Sequence, residues 1–122
     1  MEIAMATVEL GGCGAEELAL ARVRFLASVE HWRLDRAELA ALLGLPADGG
    51  GDPMERVLGV DAETRMRLAT EVARGLDRVF PPDVLLEWLR DDEDDEVTPL
   101  AFMSRGATEL RAMRAAAAAR AA

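Results

Sequence analysis

DAETRMRLATEVARGLDRVFPPDVLLEWL, residues 61–89, decides the fold class. Met66, Ala69, Ala73, Leu76 and Phe80 recur at three- and four-residue steps, with Val72 and Val79 beside them. That spacing draws one apolar stripe along a helix, while the acids and arginines between take the other faces. Pro81 and Pro82 stop the helix, because proline has no amide hydrogen and its ring crowds the preceding turn. PDVLLEWL then begins another helix, with Val84, Leu85, Trp88 and Leu89 apolar.

The same logic extends upstream. From Ala15, the residues Leu18, Ala21, Phe25, Val29 and Trp32 form a second apolar stripe, and Glu16 and Glu17 lie in the first turn, where the helix dipole favours acids. Asp35 can cap the next helix, with Glu38 as its reciprocal partner in a capping box and Leu34 and Leu39 as the hydrophobic staple. That helix should end at Gly44, a natural left-handed stop. PADGGGD (46–52) reads as a loop, and Asp52-Pro53-Met54-Glu55 as the start of a short helix lasting to about Gly59.

Downstream, six clustered acids (91–96) cannot be buried unpaired, so they read as a solvated connection. Thr98 then caps a short helix with Pro99 at its first position, Val97 and Phe102 forming a second staple and Gly106 closing the turn. The final segment is Ala-rich and helical by propensity. From Ser104 onward it carries four Arg and one Glu, a balance of +3 on a remainder of −12.

Composition agrees with an all-α domain. The 122 residues are 51% hydrophobic but only 4% aromatic, with Ala and Leu dominant. The net charge of −9 arises from 23 acids against 14 bases, every base an Arg. Such a charge repels phosphate backbones and argues against nucleic acid as the main partner. The start, MEIAMATVEL, has no basic region of the kind a signal peptide carries, and no apolar run approaches a membrane span, so a cytoplasmic protein without membrane contact is expected.

Catalytic constellations are not legible. Cys13 and His31 are the only residues of their kinds and fall on different segments, whereas zinc sites and thiol nucleophiles need clustered or paired groups. Gly11-Gly12-Cys13-Gly14 is followed by two glutamates, which would repel a phosphate, and no Gly-Lys-Ser/Thr follows. The acidic run lacks the glycine and spaced ligands of a calcium loop. Trp32, Trp88, Met54, Met66, Met103 and Met113 fit core packing. Neither an enzyme nor a cofactor is expected. ELAALLGL (38–45) has the shape of the first helix and turn of a helix-turn-helix, but the candidate reading helix MERVLG offers only Arg56 to base edges.

The order of these pieces resembles the Xre/MbcA/ParS family of type II antitoxins. HWRLDRAELAALLGL (31–45), RMRLATEVARGLDRVFPPDVLLEWL (65–89) and TPLAFMSRGATELRAMRA (98–115) carry the resemblance, which covers roughly residue 31 to the end. Two departures stand out: an acidic run replaces the family's short Asn- and Gly-containing turn, and a Gly-rich insertion interrupts the DNA-reading helix. The resemblance implies a small multi-helix bundle with a degenerate helix-turn-helix-like N-terminal half and C-terminal toxin-binding helices. Residues 1–14, which mix β-branched and small residues and end in Gly-Gly-Cys-Gly, read as a flexible arm, and the rest divides into a helix-turn-helix-like dimerisation region (15–60) and a toxin-binding helical region (61–122). The resemblance further implies a homodimer that occludes the active site of a RES-like NAD-consuming or ADP-ribosylating toxin. Thr98, Pro99, Leu100, Met103, Arg105, Glu109, Arg111 and Arg114 would contact that toxin. The rival expectation is a dimeric helix-turn-helix DNA-binding transcriptional regulator.

Overall fold

The computed structural model describes residues 15–46, 53, 58–91 and 97–121. Those residues are helical throughout their regular structure, with no strand among them. The helices are α1 (Ala15–Val29), α2 (Arg36–Leu43), α3 (Val60–Val79), α4 (Pro82–Leu89), α5 (Pro99–Met103) and α6 (Ala107–Ala121), with a 3₁₀ turn at Glu30–Trp32 after α1. None of them is long and apolar enough to cross a membrane. The expected arm, residues 47–52 of the Gly-rich loop, residues 54–57 of the short helix and residues 92–96 of the acidic run lie outside the described residues.

Helix α3 is the axis of the bundle and packs against α1, α2, α4 and α6. Most of its expected stripe is buried, with Met66, Ala69, Val72 and Ala73 all at 0% exposure, while Val79 and Phe80 at its C-terminal end are half-buried. Leu68 and Thr70 are buried as well, beyond that stripe, because α1 and α6 cover the helix from further sides. Thr70 satisfies its hydroxyl by donating to the Met66 carbonyl at 2.9 Å. At the far end Phe80 stacks on Trp88, with ring centroids 4.8 Å apart, which folds α4 back across the Pro81–Pro82 break.

The Ala-rich helix α6 would be marginal alone at 15 residues. It holds because Leu110 and Ala117 are buried and Met113 and Ala107 pack against the core. Gly75 of α3 permits the close approach: a Cβ placed there would lie 3.1 Å from the Ala117 Cβ. A glycine inside a helix costs roughly 1 kcal/mol relative to alanine, and here the close contact with α6 explains its presence.

Local punctuation follows the sequence closely. Glu38 N–H donates to Asp35 Oδ1 at 2.7 Å and Asp35 N–H donates to Glu38 Oε1 at 3.0 Å, completing the capping box. Leu34 and Leu39 both pack against the core. Gly44 ends α2 at φ +73°. Thr98 Oγ1 accepts from Ala101 N–H at 3.0 Å. The second staple is lopsided, with Phe102 packed on the core and Val97 still 48% exposed. Helix α5 stops at Met103, and a turn over Ser104 and Arg105, with Arg105 N–H donating to the Phe102 carbonyl at 3.1 Å, carries the chain to Gly106.

Candidate functional site

Two side chains that the sequence reading left aside tie the halves of the bundle together. Arg65 Nη1 donates to the Ser104 carbonyl at 3.1 Å, holding the end of α5. Its Nε lies 2.9 Å from Asp61 Oδ2, an ion-pair contact in which the N–H is not aimed at the carboxylate. The guanidinium also covers Gly44: a Cβ there would be 2.7 Å from Arg65 Cζ. With its side chain only 13% exposed, Arg65 acts as a strut between the ends of α2 and α5.

Arg90, just past α4, does the same at the other end. Its Nη2 donates to the Arg33 carbonyl at 3.1 Å and to Glu38 Oε1 at 3.0 Å. Arg33 is the one non-glycine residue with positive φ among those described, at 53°, so this bond secures a strained corner. Arg90 Nη1 is buried and has no acceptor among the described residues.

Between these struts α2 and α5 enclose an open groove of about 500 Å³. Its walls are Ala37 and Ala41 on one side and Thr98, Leu100 and Ala101 on the other, with Arg90 and Arg105 among the polar residues lining it. The concavity has a simple origin, since alanines at Ala37, Ala41 and Ala101 leave a gap that longer side chains would fill. Arg105 is exposed and its Cζ lies 6.0 Å over the Phe102 ring, which keeps the charge beside apolar surface. The groove suits an apolar segment flanked by acceptors for arginine. Its two hydroxyls, of Thr98 and Ser104, are engaged with local backbone and face no base. Among the described residues no cluster of His, Cys, Asp and Glu could hold a metal ion.

The eight residues singled out for partner contact divide into three groups. Thr98, Leu100 and Arg105 line the groove. Pro99 is half-buried behind it and Met103 is fully buried in the core, so Met103 positions α5 and offers no surface. Glu109, Arg111 and Arg114 lie along α6, outside the groove lining. Of these, Arg111 is exposed, and Arg114 Nη1 donates to Glu71 Oε1 of α3 at 2.7 Å. Ala37, Ala41, Ala101 and Arg90 were missed, as nothing in a linear pattern marks which alanines will face each other.

A second surface belongs to α1. Leu20, Val23 and Leu26 are 48%, 63% and 42% exposed, with Leu20 and Val23 on the side of the helix opposite Phe25 and Leu26 at the edge of that face. Helix α1 is thus apolar on two faces, only one of which the bundle covers. Comparison of the chain with protein-family models, with curated proteins and with solved structures finds no significant match.

Proposed function

We propose that this chain is an antitoxin of the Xre/MbcA/ParS kind, which neutralises a RES-like NAD-consuming or ADP-ribosylating toxin by binding over its active site. The observation that carries the reading is the groove between α2 and α5. One wall is built from the stretch whose resemblance is most specific, TPLAFMSRGATELRAMRA (98–115). A preformed, mostly apolar concavity with arginines among its lining residues is the kind of surface that takes an anchoring segment of a partner. Arg105 at the groove and Arg111 on α6 offer cations to a cleft built for an anionic dinucleotide. The acidic body of the chain keeps nucleic acid away from the remainder. The outward apolar face of α1, carrying Leu20, Val23 and Leu26, supports the homodimer in the same reading.

The test is competition for the groove. Ala41→Trp and Ala101→Trp fill it from opposite walls without touching the core. Each should weaken binding to the toxin encoded beside this chain by at least ~10-fold, or about 1.4 kcal/mol. Arg111→Glu should slow association more at low salt than at high salt. Toxin binding and inhibition unchanged by both tryptophan variants would refute the groove as the docking surface.

A further inference from the structure

We propose that a separate cleft between α1 and α3 binds a phosphate-class oxyanion. The cleft measures about 150 Å³ and is lined by Ala21, Arg24, Arg67, Thr70, Glu71 and Arg74. Three arginines therefore surround it in a chain whose net charge is −9.

Their placement follows from helix geometry. Arg67 and Arg74 are seven residues apart, two turns on one face of α3 and roughly 10 Å along its axis. Arg24 approaches from α1 on the opposite wall. Two acids lie close by: Glu71 lines the cleft and accepts from Arg114 at 2.7 Å, and Glu63 pairs with Arg67 at 3.5 Å, so Arg24 and Arg74 carry the cationic character of the cleft. Arg24 and Arg74 have no hydrogen bond or ion pair among the described residues. Thr70 is buried and its proton is already given to the Met66 carbonyl, so it offers no donor to the anion and only closes the floor.

The planar guanidinium groups of Arg24 and Arg74 match the tetrahedral oxygens of phosphate better than a single ammonium would. At about 150 Å³ the cleft has room for a phosphate group with some of its hydration. The group can be free phosphate or the terminal phosphate of a small organic molecule whose carrier stays outside.

The experiment is an NMR titration of the full chain with inorganic phosphate and, separately, with adenosine 5′-monophosphate, at constant ionic strength. Saturable shifts at α1 and α3 are expected, weakened at least tenfold by Arg74→Gln and by Arg24→Gln. Arg36→Gln, on α2, should leave them unchanged. Both cleft variants alter exposed side chains, and circular dichroism confirms that each remains folded. Tighter binding of the nucleotide would identify the carried phosphate as the ligand, and equal binding would identify free phosphate. No saturation by either anion, or saturation indifferent to both variants, overturns the proposal. Duplex DNA binding that needs these arginines while neither small anion saturates also overturns it.

Discussion

Gly44→Ala gives the sharpest test of how the two halves of the bundle are joined. Gly44 has φ +73°, where a side chain costs about 1–2 kcal/mol in backbone strain. The new Cβ would also fall 2.7 Å from Arg65 Cζ and 2.9 Å from its Nη1. The guanidinium has to move, and Nη1 is the atom that donates to the Ser104 carbonyl. A charge-assisted bond of this sort contributes roughly 1.5–3 kcal/mol, with little discount for screening because the side chain is mostly covered. The total loss for Gly44→Ala should be ~2.5–5 kcal/mol, measured by urea denaturation of the full chain. Arg65→Ala alone removes the bond and the side-chain packing. In that background nothing remains to clash, so Gly44→Ala should cost only the backbone strain. The double-mutant cycle should therefore show a coupling of about 1.5 kcal/mol or more. Additivity within ~0.5 kcal/mol would mean that Arg65 does not brace Gly44, and the strut would be refuted.

The remaining predictions concern packing and capping. Leu110→Ala, at a fully buried position, should destabilise the fold by about 2–5 kcal/mol in the same assay, with loss of helicity from α6. Gly75→Leu should force α3 and α6 apart and cost ~1–3 kcal/mol, whereas Gly75→Ala should lie near zero, as helix propensity offsets the 3.1 Å contact with Ala117. Asp35→Ala removes one arm of the capping box and should lower stability by roughly 1 kcal/mol, read as a reduced urea midpoint with an unchanged slope.

The helices were legible because each announces itself locally. Asp35 and Glu38, Gly44, the Pro81–Pro82 pair and Thr98-Pro99 set their boundaries through backbone hydrogen bonding, which depends on near neighbours alone. The apolar stripes of α1 and α3 likewise placed Phe25, Trp32, Met66 and Ala73 in the core. What joins the helices was not legible. Arg65 reads as a solvated charge between Thr64 and Met66, and Arg90 as the end of a helix beside an acidic run. Their roles depend on carbonyls 39 and 57 residues away, at Ser104 and Arg33. The groove was half legible. Thr98, Leu100 and Arg105 stood out within their own segment, but the alanines facing them belong to α2, and a gap between small residues leaves no periodic trace. Met103 satisfied the pattern of its segment equally well and turned inward, because a five-residue helix buries one side to hold at all.

The measurement that bears most directly on the proposed function is co-expression with the protein encoded beside this chain, scoring co-purification and cellular NAD together. The neighbour alone should deplete NAD or halt growth. The unaltered chain should bind it and restore both, and the Ala41→Trp/Ala101→Trp double variant should remain folded yet restore neither. A harmless neighbour, or one neutralised equally well by the filled groove, would contradict the account.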